Sequence, residues 1–249
     1  MPTGTIRINS PALSGATTYS ILLPDPAQAG PGPYPVLLQL HGAHDDHTAW
    51  LEKSRLQQYV ERLPLIVVMP SGRNFWWSNL HPMLRYEDLL MDDLRAHVEA
   101  TYPTRTGAPW AIGGLSMGGF GAIHLGLKHP DRFCSVYAHS SALLSGDEIQ
   151  NWFGALPDPV LADLDCAAWA RQRTPAGIPR LSFDCGTEDH LITHNRRFHA
   201  LLDSLGLPHG YAEFPGGHTW TYWDTHVQAA LRQHADVLGI TWQPEPPPA

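Results

Sequence analysis

Short apolar runs recur along this chain, each followed by a longer stretch with one apolar face, and that alternation leaves few folds open. The runs at 36–40, 65–69, 110–115, 133–138 and 180–184 are apolar almost throughout. A strand with one wet face would alternate; a run that is apolar on both sides reads as a strand buried on both, as in a parallel sheet covered by helices. The stretches at 48–63, 86–101, 117–129, 193–205 and 223–238 supply those helices. In the second of them Leu89, Leu90, Met91, Leu94 and Val98 fall largely on one helical face. Pro130 and Gly206 stand where helices should stop. The reading is α/β, a three-layer sandwich around a mostly parallel central sheet. Segments 5–8 and 19–23 have no long helix between them and read as antiparallel strands added at the sheet's edge. For 249 residues a single domain over 1–243 is expected, with the Pro-rich 244–249 as a frayed tail. Between two sheet strands, 141–179 reads as helical pieces (147–153 and 163–172), a small cap over one side of a site.

Charge and cysteine usage exclude several classes of function. The 24 acidic residues outnumber the 16 basic ones, giving a net charge of −8, and Lys53 and Lys128 are the only lysines. Neither nucleic acid nor an anionic membrane suits such a chain as a main partner. No stretch approaches the roughly 20 apolar residues of a membrane span, and residues 1–15 lack the apolar core of a signal peptide. Cys134, Cys166 and Cys185 are odd in number, far apart and in no Cys-x-x-Cys pair. They suggest a reducing, cytoplasmic setting.

Gly114-Leu115-Ser116-Met117-Gly118 fits Gly-x-Ser-x-Gly, and its placement gives the pattern weight. It lies directly after a buried strand and directly before a helix, where a nucleophile elbow must lie. A turn that sharp projects the Ser116 hydroxyl from strained backbone, and side chains two before and two after it would collide. Gly119 and Gly121 follow inside the helix, where each costs about 1 kcal/mol relative to Ala. That cost makes sense if the helix packs very close to the strand. The plainer reading is a Gly-rich turn carrying an ordinary serine.

An activated serine needs a base, and the base needs an orienting carboxylate. In a sheet of this kind their chain order is serine, acid, histidine. Asp189 follows the strand at 180–184, and His218 follows the strand-like 211–214, so both sit past C-terminal strand ends, where open α/β sheets form sites. Asp184 and Glu188 compete for the acid role; Asp184 falls inside the strand, and Glu188 is the main rival. His218 stands out among the 15 histidines because Gly216 and Gly217 free its loop. Two backbone N–H donors are needed for an oxyanion. One is expected from Met117, the other from the loop after 36–40, with Ala43 the first choice and Gly42 the second.

Trp76, Trp77 and Trp220 flank these loops and are candidates for apolar pocket walls, while Trp110 and Trp223 are expected to fill core. His44-Asp45-Asp46-His47 invites a metal reading, but the spacing is no established ligand pattern, and a capping role at Thr48 is preferred; no metal is expected. Cys185 has no close cationic neighbour in sequence and reads as a structural thiol.

Together, Leu40-His41-Gly42, Gly114-Leu115-Ser116-Met117-Gly118-Gly119, Gly186-Thr187-Glu188-Asp189 and Gly216-Gly217-His218 resemble the α/β-hydrolase serine esterases, in the branch of esterase D and the tributyrin esterases. Tyr86-Glu87-Asp88-Leu89-Leu90, Tyr102-Pro103 and His129-Pro130-Asp131-Arg132-Phe133 are similar to non-catalytic motifs of that family. The resemblance spans about 19–238. It implies a serine carboxylesterase acting on small or short-chain acyl esters, with no cofactor, and with Ser116, Asp189 and His218 as the triad. It implies a small-molecule ester as partner and allows a homo-oligomer. S-formylglutathione hydrolases and feruloyl or acetylxylan esterases are the alternatives within the same larger family, since fold and triad do not fix substrate. Where the formylglutathione branch has Ser-Gly-Leu-Thr-Cys, this chain has His41-Gly42-Ala43-His44-Asp45, which counts against a glutathione thioester. A catalytically dead hydrolase used as a binding module is the remaining reading, and the intact Ser, Asp and His speak against it.

Overall fold

Strands that are apolar on both sides must be covered on both sides, and the computed structural model, in which residues 1–154 and 156–242 are described, does this with one sheet and two helical layers. The strands are β1 (Thr3–Ser10), β2 (Gly15–Leu22), β3 (Val36–Leu40), β4 (Ile66–Pro70), β5 (Asn79–His81), β6 (Leu84–Arg85), β7 (Trp110–Leu115), β8 (Phe133–His139), β9 (Arg180–Gly186) and β10 (His209–Phe214). Eight of them form the sheet in the order β1-β2-β4-β3-β7-β8-β9-β10, and β5 and β6 form a separate hairpin. β2 pairs antiparallel with both β1 and β4, while the pairs from β4 onward are parallel. The expected edge pair is therefore present. Every residue of β3, β4 and β7 is buried.

The helices are α1 (Pro26–Ala29), α2 (Ala49–Glu52), α3 (Leu56–Val60), α4 (Tyr86–Asp88), α5 (Arg95–Thr101), α6 (Met117–Lys128), α7 (Asp147–Phe153), α8 (Asp158–Asp163), α9 (Cys166–Arg171), α10 (Ile192–Ser204) and α11 (Trp220–Leu238). Alternation along each strand sorts the core. Leu38, Leu40 and Ile112 pack with Leu94, Phe120, Ile123 and Phe198 on one face. Leu37, Val67 and Leu115 pack with Trp50, Leu56, Tyr222 and Val227 on the other. This is the α/β-hydrolase arrangement. Among the described residues no helix is long and apolar enough to cross a membrane. The expected tail at 244–249 lies outside the described residues.

Three expected helices differ in detail. The stretch 48–63 holds two short helices, α2 and α3. Ser54 Oγ donates to Trp50 O and accepts the Leu56 N–H, and Asp224 of α11 accepts the Arg55 N–H at 2.7 Å. These side chains give the backbone partners that a continuous helix would otherwise supply. The stretch 163–172 likewise divides between α8 and α9, because Asp165 Oδ1 caps α9 by accepting from Ala167 and Ala168 N–H. The 86–101 helix runs as expected, but α4 and α5 join through a π-helical turn at Leu89–Leu94.

An ion cluster around the buried Glu87 fastens the far end of α6. Lys128 Nζ donates to Glu87 Oε2 and to Asp163 Oδ2, each at 2.8 Å, and Glu87 Oε1 lies 2.7 Å from His129 Nε2. Burial alone would push the Glu87 carboxyl up, but the hydrogen bonds from His129 and Lys128 outweigh it and bring it down from 4.5 to about 2. A carboxyl lowered on folding stabilises above its unfolded pKa and loses that contribution as pH falls through the folded value. For this shift the contribution is of order 3 kcal/mol. Urea unfolding of Glu87→Gln should therefore show a stability deficit at pH 7 that narrows as pH falls from 4.5 to about 2. A deficit constant across that window would mean that the cluster's charge contributes nothing.

Candidate active site

Ser116 stands between β7 and α6 with φ 54° and ψ −116°, a conformation that costs an L-residue energy. Close approach holds it there. A Cβ on Gly118 would lie 2.5 Å from Leu40 O and 2.6 Å from His41 O, and a Cβ on Gly114 would strike the Gly118 carbonyl. Only glycine at both positions lets α6 start this close to the ends of β3 and β7. The backbone is then pinned by Ser116 N–H to His139 O at 2.9 Å and by Phe120 N–H to Ser116 O at 2.9 Å.

The loops after β9 and β10 are laced together. Thr187 N–H donates to Phe214 O at 2.9 Å, Glu188 N–H to Gly216 O at 3.0 Å, and Gly216 N–H to Glu188 Oε2. Gly216 takes φ 132°, which favours glycine. That lacing sets Asp189 beside His218: Asp189 Oδ2 lies 2.9 Å from His218 Nδ1, and His218 Nε2 lies 3.0 Å from Ser116 Oγ. Asp189 is buried and also accepts the Leu191 N–H at 2.8 Å. Burial would raise its carboxyl; the hydrogen bonds from His218 and Leu191 and the charge of His218 overcome this and hold it below the usual range. Glu188, the rival acid, is exposed and braces the histidine loop. Asp184 lies in β9, bonded to His139 Nδ1 and the Tyr222 hydroxyl.

The loop after β3 has its own brace. His41 Nε2 accepts the Gly72 N–H at 2.9 Å, so the ring proton sits on Nδ1, which donates to Gly42 O at 2.6 Å. Burial holds this imidazole below its ordinary pKa, and therefore neutral. The sequence placed His41 in the Leu40-His41-Gly42 motif without giving its side chain a role; its burial supplies the signal. The expected capping role of 44–47 is not realised: α2 has no side-chain cap, and Asp46 instead accepts from Thr48 N–H and Oγ1 at 2.8 Å in the turn that precedes it.

A cavity of about 830 Å³ opens over Ser116, with Gly42, Ala43 and Met117 at its floor. Residues 142–152, from the expected cap, line it through Leu144, Asn151 and Trp152. Trp76 and Trp220 line it, Trp76 from within the core. Trp77 does not: its ring is fully buried, edge-on to His41 at 4.8 Å, and fills the space left by Gly72 and Gly121. The strand–helix approach therefore does not explain Gly121; the indole does. Trp223, expected in the core, reaches the cavity as well and stands perpendicular to the His218 ring at 4.8 Å. Trp110 is core, under the Arg95 guanidinium at 5.0 Å. Cys185 is fully buried, and burial pushes its thiol up, as suits a structural residue. His190, unremarked in the sequence, lies with its ring 4.6 Å from that of His218.

Comparison with known proteins extends this geometry. Residues 10–234 match the family model described as "Putative esterase". An acetyl esterase of Caldicellulosiruptor saccharolyticus is 28% identical over 221 residues, covering 81% of this chain and 83% of the relative. An esterase of Mycobacterium tuberculosis (strain H37Rv) is 28% identical over 254 residues, covering 86% of this chain but 55% of the relative. The chain thus spans about half the length of that second protein. Among solved structures, a ferulic acid esterase superposes with a TM-score of 0.81 and 26% identity, covering 96% of this chain and 98% of the other.

Placing Trp77 in the core and Trp220 at the cavity gives opposite outcomes on truncation. Trp77→Ala should cost about 3–5 kcal/mol of stability. Trp220→Ala should cost much less and change the affinity for ester. Chemical unfolding and steady-state kinetics on the two variants would separate core from wall; equal losses of stability would contradict this division.

Proposed function

Since this chain belongs to the Esterase family and is a carboxylic ester hydrolase, we propose that it is a serine esterase acting on small, short-chain acyl esters through Ser116, His218 and Asp189. One observation carries the reading: a continuous hydrogen-bond chain from Asp189 Oδ2 through both nitrogens of His218 to Ser116 Oγ, with spacings of 2.9 and 3.0 Å. His218 takes the Ser116 proton as Oγ attacks the ester carbonyl, and the buried Asp189 stabilises the imidazolium. The proton then passes to the departing alcohol. Water repeats the sequence on the acyl-enzyme and frees the acid.

The oxyanion receives the N–H of Met117, at the start of α6, where first-turn donors have no intrahelical acceptor. Ala43 is the second donor, ahead of Gly42. The Gly42–Ala43 peptide is trans, so its N–H points opposite to the carbonyl that His41 holds. With that carbonyl turned to the imidazole, the Ala43 N–H faces the other way, and Ala43 lines the cavity beside Ser116.

A feruloyl-type esterase is the second reading. Trp76, Trp152, Trp220 and Trp223 give the cavity aromatic walls, and the similar ferulic acid esterase supports it. Three free cysteines suit a reducing, cytoplasmic setting for either.

Ser116→Ala should lower turnover of p-nitrophenyl acetate at least about a thousandfold and abolish labelling by a fluorophosphonate probe. Near-native turnover in that variant would end the proposal. Among methyl esters, the acetate and butyrate should be cleaved faster than the ferulate; the reverse order would select the feruloyl reading. His41→Phe keeps an aromatic ring against Trp77 but releases the Gly42 carbonyl. It should lower kcat roughly tenfold to a hundredfold with little change in KM. An unchanged kcat would show that His41 does not hold the oxyanion loop.

A further inference from the structure

We propose that His199, Asp203 and His209 bind a divalent transition-metal ion, Zn²⁺ by preference, at the rim of the sheet opposite the cavity. α10 descends from the loop of Asp189 and ends at Ser204, and β10 begins at His209 and climbs back to the loop of His218. The end of α10 and the start of β10 therefore meet far from Ser116. His199 and Asp203 stand one helical turn apart on the same face of α10. His209 faces them from the edge strand.

The two imidazoles present nitrogens to each other: His199 Nδ1 lies 2.7 Å from His209 Nε2. His209 Nδ1 lies 2.8 Å from Leu207 O, and a carbonyl only accepts, so the His209 proton is on Nδ1. Its Nε2 lone pair is thereby aimed at His199. A ring nitrogen free to ligate, with the other donating to a backbone carbonyl, is how proteins orient metal-binding histidines. The His199 ring is held in turn by stacking on Tyr211 at 4.5 Å. Asp203 completes the set: one ligand atom from each of the three residues lies within 4.8 Å of the others, with Oδ1 3.9 Å from His209 Nε2. The proton that His199 Nδ1 now shares with His209 passes to His199 Nε2 when Nδ1 ligates, where Asp203 Oδ2 at 3.5 Å accepts it.

The three ligands differ in freedom in a useful way. The His209 side chain is 3% exposed and fixed, whereas that of Asp203 is 64% exposed and can swing. Metal–nitrogen bonds of about 2.0–2.1 Å at a tetrahedral angle need nitrogens about 3.3 Å apart. The rings must open by about half an ångström, which the partly exposed His199 can supply. Two imidazoles and one carboxylate suit Zn²⁺, with Cu²⁺ and Ni²⁺ as chemical relatives, and water fills the remaining position. The bound ion would tie the end of α10 to the edge strand across residues 205–208.

A second trio, Asp189, His190 and His218, lies within metal-binding reach but belongs to the reaction site. The test must tell the two apart. The untagged chain, stripped with EDTA, is titrated with ZnCl₂ by calorimetry and followed by thermal unfolding. One site is expected, with a rise in Tm on Zn²⁺ addition. The affinity should fall about tenfold or more, and the rise in Tm should shrink, in His199→Gln and in Asp203→Asn, positions at least partly exposed that leave the His209 side chain intact. His190→Asn should bind as the native chain does. Co²⁺ should give a visible d–d spectrum that His199→Gln loses. No binding by the native chain, equal binding by His199→Gln, or loss of binding confined to His190→Asn would each overturn the proposal.

Discussion

Everything at the cavity depends on how closely α6 approaches the sheet. Gly118 brings the first turn of the helix against Leu40 O and His41 O, and Gly114 leaves room for the Gly118 carbonyl behind it. A single methyl at either position would have nowhere to go without moving a main chain. The strained backbone of Ser116 follows from that approach, because a strand must become a helix within one residue. The hydroxyl is thus presented by backbone geometry, 3.0 Å from His218 Nε2. The same approach brings the start of α6 beside the loop after β3, so the Met117 and Ala43 backbones lie within one cavity.

Histidine and carboxylate reach the hydroxyl by a separate device. β9 and β10 are parallel neighbours, so their loops leave the sheet side by side. Glu188 and Gly216 then bond across the gap in both directions, through Glu188 N–H to Gly216 O and Gly216 N–H to the Glu188 carboxylate. The residue that rivalled Asp189 in the sequence therefore has a mechanical role: it positions the loop that carries His218. Trp223 adds a perpendicular face to the imidazole, and its own Nε1–H donates to Ser140 Oγ at 3.1 Å.

Legibility in the sequence followed the range of the forces involved. Strands apolar on both faces could be read almost to the residue: Val36–Leu40 and Trp110–Leu115 have the expected bounds, because double burial leaves a local signature. Helices were less legible wherever a side chain competed for backbone. Asp224 lies far along the chain from Arg55, yet its bond to the Arg55 N–H helps divide 48–63 into two helices. Tryptophans were least legible, since an indole reads alike beside a pocket or within a core. Trp77 left its expected place because Gly72 and Gly121 made a slot for it in the core, while Trp223 is buried as expected and also borders the cavity beside His218.

The sequence by itself determined the α/β architecture, the position of the elbow and the order in which a serine, an acid and a histidine occur along the chain. Those follow from periodicity, small residues and strand ends, all of which act between near neighbours. Only the tertiary structure decided which carboxylate faces His218, that His41 holds the Gly42 carbonyl, and that His199 meets His209. Each of these depends on two loops or elements distant in sequence arriving at one place. Burial then turns a few tenths of an ångström into a chosen proton, tautomer or partner, because a polar group removed from water must find its hydrogen bond inside.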